Sequence, residues 1–351
     1  MKKLLISLTA LLFATTMSVQ AVDDTMNPLI TSMPSLSIAP DARAAGMGDI
    51  GVATEADYNS QYWNPAKYAY MYSKGGITAN YTPWLRKLVG DIDLAYLAGF
   101  YNFGDLGGGI GASFTYFSMG DVALTDGNGQ VLQNVRPNEW ALDLSYFRKL
   151  HEYVSMSVAV RFLYSDLNNG YNSSIGGGAE MHPAWTMAAD VSLYYRQPIA
   201  LPMGESYFAL GFNLSNLGGK MTYDEGYTEN FIPANIRLGA SYELPFDDYN
   251  RLMFSMEANR MLIPTYGSKY AVNGDRLTQQ EYSDISSTKG WFMSFNDAPG
   301  YYDENKGKTV MHTATAVIDN IAAIENKKAP ATNANDAPNT GFAVLGFFIP
   351  L

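Results

Sequence analysis

The sequence predicts an all-β protein, specifically a transmembrane antiparallel β-barrel. Long segments alternate strictly between apolar residues and polar or small residues, which is typical of strands with one apolar face. These segments are about as long as membrane-crossing strands, which need roughly 9–11 residues, whereas soluble strands average about five or six. The segments are joined by connections that alternate between short and long, as periplasmic turns and outer loops do. A large soluble β-sandwich is the alternative fold.

The composition of the 351-residue chain agrees with this fold class. The chain has 25 Tyr and 32 Gly, whereas charged residues make up only 16%. Tyr suits the aromatic girdles of a barrel, and Gly suits the bends of its strands. The absence of Cys excludes disulfides and Cys-ligated zinc. The net charge of -11 argues against nucleic acid as a partner.

Residues 1–21 are predicted to be a secretory signal peptide. Lys2 and Lys3 form a basic start, residues 4–13 are apolar, and residues 19–21 end in a small-residue cleavage site. The apolar run is too short to span a membrane as a helix. The mature protein is therefore expected to be either soluble in the cell envelope or a barrel in the outer membrane.

Residues 22–75 form an extension before the first predicted strand. Prolines interrupt regular structure before residue 41, and small residues dominate from Asp41 onwards. Asp41 can cap a short helix that starts at Ala42. The Asn64-Pro65 pair ends any helix and turns the chain. A capped helix and loop on a soluble domain is the alternative interpretation of this region.

The predicted barrel occupies residues 76–351, with about twelve readable strands. Tight turns are expected at residues 104–107, 150–152 and 245–250, a somewhat longer turn at 197–205, and long loops at 119–138, 166–185, 218–233 and 262–290. The alternation is clearest over five segments: residues 140–147, 154–165, 187–196, 208–215 and 236–244.

The last ~50 residues are atypical of barrel strands. Residues 308–318 alternate and residues 340–349 are apolar and strand-like, but residues 319–339 are polar and poor in aromatics. Phe347 and Phe348 stand near the end, where Pro350 follows instead of a terminal aromatic residue. Whether this end closes the barrel stays open, and the question matters because an unpaired sheet edge in lipid is very costly.

A family resemblance rests on two motifs, Asp41-Ala42-Arg43-Ala44-Ala45-Gly46-Met47-Gly48 and Trp63-Asn64-Pro65-Ala66. They resemble the N-terminal region of the FadL-like outer-membrane proteins. Within that superfamily, the chain from these motifs to residues 296–300 is similar to the PorV (LptO) family of the type IX secretion system. The resemblance implies a barrel of about 14 strands with a small N-terminal plug in its lumen. The plug residues it implies are Asp41, Arg43, Gly46, Gly48, Trp63, Asn64 and Pro65.

Charged residues within the predicted strands fall on the polar face and are expected to face the lumen. One interpretation is a polar pore lining that tunes passage. The favoured interpretation is a set of salt bridges and hydrogen bonds that hold the plug, with Arg43 as a partner for one of the acids. These predicted lumen-facing residues are Asp143, Arg161, Asp190, Arg237 and Glu257.

Aromatic residues in the predicted outer loops are candidates for binding a partner protein. The alternative is that they belong to the outer aromatic girdle, especially where they border a strand. The candidate residues are Tyr171, Trp185, Tyr223, Tyr227 and Phe231.

No pattern of catalytic, cofactor-binding or metal-binding residues emerges. His151, His182 and His312 are scattered and form no zinc motif. No nucleophile elbow is present. We therefore expect no enzyme activity and no cofactor.

Two functions follow from the resemblance. The first is a non-enzymatic shuttle in the outer membrane of a Gram-negative cell of the Bacteroidota type. It would bind the C-terminal signal domains of secreted proteins and carry them from the type IX translocon to the attachment complex that contains PorU, while contacting outer-membrane lipid. The second is a FadL-type channel for hydrophobic small molecules, which would need an apolar pocket. The predicted inward faces are mostly small or charged, which favours the first.

Overall fold

The computed structural model of the chain describes residues 29–104, 108–125, 128–168, 181–202, 204–224, 229–246, 250–264, 279–295, 301–303, 308–310 and 343–348. The chain divides into two compact units. One unit comprises Leu29–Pro264, Thr278–Phe295 and Thr340–Leu351, and the other comprises Met1–Pro28, Thr265–Leu277 and Asn296–Asn339. The predicted signal peptide lies outside the described residues.

The first unit is built on a ten-stranded sheet in which every neighbouring pair is antiparallel. Its strands, in spatial order, are β1 (Gly75–Pro83), β2 (Asp93–Asn102), β3 (Gly109–Ser118), β6 (Asn138–His151), β7 (Val154–Asp166), β8 (Ala184–Leu201), β9 (Gly204–Gly218), β12 (Asn235–Pro245), β13 (Arg251–Met261) and β16 (Ala343–Phe348).

Smaller hairpins complete the β-structure. The long loops of the first unit contain two of them, formed by β4 (Val122–Thr125) with β5 (Val131–Val135) and by β10 (Met221–Thr222) with β11 (Glu229–Asn230). The second unit contains a hairpin of β14 (Tyr301–Asp303) and β15 (Lys308–Val310). The sequence predicted the long loops but not the hairpins inside them.

The connections between sheet strands alternate in length, which confirms the predicted pattern. At one end of the sheet, consecutive strands are separated by short connections, at positions 103–108, 152–153, 202–203 and 246–250. Residues 84–92, 119–137, 167–183 and 219–234 form longer connections at the other end. We call these the short-turn end and the long-loop end. The turn between β8 and β9 is tighter than predicted, because both strands extend almost to its tip.

The two faces of the sheet have opposite chemistry. On β8, every second residue from Trp185 to Leu193 is exposed, whereas Thr186, Ala188, Asp190 and Ser192 between them are buried. The buried positions on the sheet are mostly Ser, Ala, Gly, Asn and charged side chains, and the exposed positions are mostly large and apolar. This sidedness is the reverse of a soluble sheet, whose apolar face is buried. It confirms the predicted alternation.

An N-terminal segment, residues 29–72, packs on the buried face of the sheet. Its regular structure consists of the 3₁₀ helix Pro34–Ser37, the short helices Ala42–Gly46 and Ser60–Trp63, and the 3₁₀ helix Pro65–Tyr70. The last of these begins with Pro at its first position, where a missing N–H costs nothing. Tyr68 lies fully buried between Phe100 and Phe147, stacked on Phe100 with a centroid separation of 4.5 Å.

Two further helices follow β13 in the first unit, Gln279–Ser283 and Ser287–Met293. They occupy part of the predicted longest loop. Tyr282 anchors them, because its buried hydroxyl donates to the carbonyl of Pro264 at 3.0 Å and its ring meets Phe231 edge-on. No helix among the described residues is long and apolar enough to cross a membrane.

The described sheet ends at β1 on one side and β16 on the other, and no pairing between these two strands is present in the described residues. Strand β16 confirms the strand-like character of residues 340–349 and pairs antiparallel with β13. The ten described sheet strands are fewer than the predicted number of about 14. Residues 311–342, which include the atypical polar stretch, lie outside the described part of the chain.

Candidate functional site

The candidate site is the contact between the N-terminal segment and the buried face of the sheet. Within that segment, Asp41 is the N-cap of the helix Ala42–Gly46. Its Oδ1 accepts a hydrogen bond from the backbone N–H of Ala44 at 2.8 Å, which is the predicted cap. Its Oδ2 accepts from Trp63 Nε1 at 2.7 Å. One buried carboxylate therefore joins the two motifs, through residues that are 22 positions apart in the sequence.

The backbone of residues 51–54, which we call the clamped turn, is held by side chains of distant strands. Glu257 Oε2 on β13 accepts hydrogen bonds from the N–H groups of Gly51 and Val52, both at 2.9 Å. Ser241 Oγ on β12 donates to the carbonyl of Ala53 at 2.7 Å. Buried backbone groups need such partners, because an unpaired one costs roughly as much as a lost hydrogen bond.

The remaining carbonyls of the clamped turn are also satisfied. Lys67 Nζ donates to Gly51 at 2.8 Å, Asn64 Nδ2 donates to Val52 at 3.0 Å, and the Tyr194 hydroxyl donates to Thr54 at 3.3 Å. The turn is therefore fixed by groups from its own segment and from strands β8, β12 and β13.

The clamped turn comes so close to strands β9 and β12 that each strand has a glycine opposite it. A Cβ on Gly211 of β9 would lie 2.1 Å from the carbonyl oxygen of Val52. A Cβ on Gly239 of β12 would lie 2.6 Å from a methyl carbon of the same residue. Glycines inside strands are typical where another backbone comes close.

The Trp63-Asn64-Pro65 motif makes the second contact. Asn64 Oδ1 caps the following 3₁₀ helix by accepting from Ala66 N–H at 3.1 Å, while Nδ2 also donates to the carbonyl of Leu193 at 3.0 Å. Asn213 Nδ2 donates to the carbonyl of Trp63 at 2.6 Å. The guanidinium of Arg237 lies 4.7 Å above the Trp63 ring, a cation–π contact.

The other predicted plug residues have different roles. Gly48 has φ +80°, a backbone conformation that favours glycine, whereas a Cβ on Gly46 would have open space around it. Arg43 forms an ion pair with Asp57 at 3.0 Å, within the same segment. The sequence predicts instead that Arg43 pairs with a carboxylate on a strand. That prediction overlooked the local acid, whose position next to the helix Ser60–Trp63 brings it into reach.

All five predicted lumen-facing residues lie on the buried face and form two clusters. In the first, Arg161 pairs with Asp143 and, at 3.0 Å, with Asp190. Asn216, which has φ 59°, accepts from Arg161 through its side chain and donates its backbone N–H to Asp190 at 2.7 Å. In the second, Arg237 Nη1 binds Glu257 Oε1 at 3.3 Å. The structure thus pairs these charges with one another and with the N-terminal segment.

The buried charged residues that the sequence did not single out include Glu139 and Lys67. Glu139 on β6 accepts a hydrogen bond from Ser35 and lies just before the alternating segment that begins at Trp140, so extending the period-two pattern by one residue would have identified it. Lys67 is fully buried, and its amino group donates to Gly51 O and Thr54 Oγ1, at 2.8 and 3.2 Å. Burial lowers the pKa of Lys67.

The predicted partner-binding aromatics do not form one surface. Phe231 is buried, and its ring packs against Tyr282 and under Lys220 Nζ at 4.8 Å. Tyr223 is partly buried and donates its hydroxyl to Ser165 at 3.0 Å. The prediction of exposed loop aromatics is wrong for both, because each ring closes over the buried face at the long-loop end. Tyr171 and Tyr227 lie outside the described residues.

Trp185 is exposed but lies on a strand, near the start of β8. It stacks on Phe162 at 6.0 Å, and Phe162 meets Trp140 at 5.4 Å. Phe114 extends the series from β3. These rings form an aromatic belt on the exposed face near the long-loop end, defined by Phe114, Trp140, Phe162, Tyr164 and Trp185.

Little space remains between the N-terminal segment and the sheet. Two small cavities flank Tyr62, one beside Asp143 and Arg161, and the other beside Arg237 and Asn235. No group of residues suited to hold a metal ion is found in the described part of the chain. The contact is built for holding a segment in place, and its chemistry is hydrogen bonding and ion pairing.

A search of curated proteins found no matching relative. A family model described as type IX secretion system protein PorV matches residues 21–268, which is more than half of the chain. The matched region includes the whole N-terminal segment, the clamped turn and all but one of the strands of the described sheet. The chain therefore belongs to the PorV family of type IX secretion system proteins.

Proposed function

We propose that this protein is an outer-membrane β-barrel that binds secreted proteins through their C-terminal signal domains. It passes them from the type IX translocon to the attachment complex that contains PorU, and it catalyses no reaction itself. The family match carries the type IX part of this proposal. The reversed sidedness of the sheet supports the membrane part.

The exposed face has the dimensions of a membrane-facing surface. From Trp185 to Tyr195 on β8 the exposed and partly exposed residues of this face span ten positions, or about 33 Å along a strand. At the usual barrel tilt of about 40° this corresponds to an apolar band about 25 Å tall. An exposed apolar surface of this extent is rare on a soluble monomer. Closure of the sheet into a barrel would remove its two edges from lipid.

The buried face favours a binding role over conduction. A channel for hydrophobic molecules needs an apolar pocket and a route past the N-terminal segment. The described buried face instead presents ion pairs and hydroxyl groups, many of them engaged with one another or with residues 29–72. Cargo is therefore expected to bind outside the sheet interior, at the long loops or their rim.

Deletion of the gene in its native host tests this function. Secreted proteins with the C-terminal signal domain should accumulate unprocessed in the cell extract, and their surface display should return on complementation with the wild-type gene. Glu152→Gln, which changes an exposed residue of a short turn, serves as a complementing control. Normal surface display of these proteins, combined with reduced uptake of long-chain hydrophobic compounds, would overturn the proposal in favour of a channel.

A further inference from the structure

The connection between β1 and β2 presents an unusual exposed surface, which we call the β1–β2 tip and define as residues 84–90. Its four large apolar side chains are all exposed, and Leu88 is exposed to 81%. The other three are Trp84, Leu85 and Val89. Such side chains at neighbouring positions form a contiguous apolar patch, which marks an interaction surface more often than a single exposed residue does.

The tip is an ordered turn. The N–H groups of Leu88 and Val89 both donate to the carbonyl of Leu85, at 2.7 and 3.0 Å. The N–H of Trp84 donates to the carbonyl of Ile92 at 2.9 Å, which continues the β1–β2 ladder to the base of the tip. The backbone therefore presents the apolar side chains in a fixed arrangement.

Two cations lie in the middle of this apolar sequence. Arg86 and Lys87 are exposed, and neither side chain has a hydrogen-bond or ion-pair partner within the described residues. The nearby acids are engaged elsewhere, since Asp93 accepts from the Tyr81 hydroxyl at 2.6 Å and Asp91 accepts from the Asp121 N–H at 2.7 Å. The tip is thus a basic and apolar element on an acidic chain of net charge -11.

We propose that the β1–β2 tip is a lipid anchor that binds phosphate-bearing lipid in the leaflet at the long-loop end of the sheet. The apolar side chains enter the acyl region while Arg86 and Lys87 bind the phosphate groups. Trp and Leu beside Arg and Lys are the usual composition of segments that lie in a membrane interface. This inference rests on the proposed membrane location of the sheet.

Continuity with the exposed face favours lipid over a protein partner. Ile77 and Tyr81 of β1 are exposed on the apolar face, to 83% and 66%, and the tip follows Tyr81 by only three residues. The exposed apolar surface therefore runs from the strand into the tip without a polar break other than the two cations. Charge complementarity then selects lipids that carry phosphate.

The absence of Cys from the chain allows a direct test with single labels. Gly90→Cys places a polarity-sensitive fluorophore beside the tip without removing any of its apolar side chains, and a Cβ there meets nothing within 4 Å. The full-length protein is reconstituted into phosphatidylcholine vesicles with or without phosphatidylglycerol. We expect the label to be quenched by brominated lipid, and more strongly when phosphatidylglycerol is present.

Substitution of the two cations separates phosphate binding from simple apolar insertion. Each cation near an anionic surface increases the equilibrium constant for membrane binding about fivefold. Arg86→Gln with Lys87→Gln should therefore lower the ratio of lipid-inserted to water-exposed label about 30-fold. Leu85→Ser with Leu88→Ser should abolish the quenching of the label at position 90 by brominated lipid in both kinds of vesicle. Inorganic phosphate added to phosphatidylcholine vesicles should not reproduce the effect of phosphatidylglycerol.

Two matched labels make the outcome decisive. Leu144→Cys lies in the middle of the exposed face of β6, and Val131→Cys lies on the β4–β5 hairpin in another long loop. The proposal predicts quenching by brominated lipid at positions 144 and 90 but not at 131. Quenching at 144 alone, with position 90 accessible to acrylamide in both vesicles, would refute the lipid anchor and favour a protein partner. No quenching at 144 would instead refute the membrane location of the sheet.

Discussion

Glu257 carries two roles that a single buried carboxylate can combine. One oxygen accepts both N–H groups at the start of the clamped turn, and the other binds Arg237. Arg237 in turn lies over the ring of Trp63. The charge on a strand and the conformation of the N-terminal segment are therefore coupled through one side chain.

Glu257→Gln should release the N-terminal segment. The variant leaves Arg237 without its counter-charge, and removing one partner of a buried pair costs about 3–5 kcal/mol. We expect earlier unfolding in denaturant and faster protease cleavage within residues 41–72. Glu152→Gln, on an exposed turn, should change the free energy of unfolding by no more than about 0.5 kcal/mol. Equal resistance of both variants would show that the carboxylate does not hold the segment.

Lys67 predicts a pH dependence of stability. Burial is the largest cause of its lowered pKa, and Arg43 adds to it, while Asp57, Asp41 and Glu257 oppose it. The folded state therefore binds fewer protons than the unfolded state between the lowered pKa and about 10.4, so stability rises with pH in that range. The neutral amine keeps its hydrogen bonds to Gly51 and Thr54.

Lys67→Met removes this titration. The difference in unfolding free energy between wild type and Lys67→Met should shift in favour of wild type as the pH rises towards about 10.4. Denaturant unfolding at several pH values measures it. A difference that stays constant with pH, or that shifts in favour of the variant, would contradict the argument.

At this scale the sequence was partly informative. Charges on the polar face of a strand could be identified from a period of two, and the cap of Asp41 could be identified from its place before a small-residue helix. The buried Lys67 could not, because lysine is almost never fully buried and nothing in its local pattern marks it. The burial of the Phe231 ring could not be predicted either, because the ring packs against Tyr282 in the helices after β13, far along the chain.

At the scale of elements, strand β9 fits its neighbours because Gly211 leaves room for the clamped turn. The carbonyl of Val52 occupies the space in which a side chain would stand. Strand β12 makes the same accommodation at Gly239. The N-terminal segment therefore fits against the sheet because two glycines leave space for it, and not only because hydrogen bonds hold it.

Gly211→Ala should displace the clamped turn. The added Cβ would lie 2.1 Å from a backbone oxygen, so the turn has to move and lose its bonds to Glu257. Gly46→Ala is the matched control, because its Cβ meets nothing and Ala is favoured in a helix by about 0.5–1 kcal/mol. Limited proteolysis of residues 41–72 should distinguish them, with increased cleavage only in Gly211→Ala. Similar cleavage of both variants would contradict the steric argument.

Element boundaries and loop contents explain the remaining differences between sequence and structure. The alternation predicted the sheet strands because burial on one face imposes a period of two. It did not predict the β4–β5 hairpin, whose residues are almost all exposed and so carry no periodic signal. The sequence places Trp185 at the end of a loop, whereas the strand that contains it begins at Ala184.

At the scale of the whole molecule, the described sheet has an apolar exposed face and a polar buried face. This arrangement is stable in water only if something covers the exposed face. The family match and the alternating connections both agree with coverage by a membrane.

Leu144→Arg should impair membrane insertion. Leu144 lies in the middle of β6 and is exposed to 60%, and an arginine at the membrane midplane costs about 2–4 kcal/mol. Less protein should fractionate with the outer membrane. Leu132→Arg, on an exposed position of the β4–β5 hairpin, should fractionate normally. Normal fractionation of Leu144→Arg would place this face outside the lipid.

The clamped turn has a consequence for the order in which the protein assembles. Gly51 and its partner Glu257 are separated by 206 positions, so the turn leaves the ribosome long before the strand that fixes it. Closing so long a loop carries an entropic cost that is recovered only when β13 is in register. A segment made early is thus fully secured only after β13 has formed, and its protection from proteases reports that the strands as far as β13 have assembled.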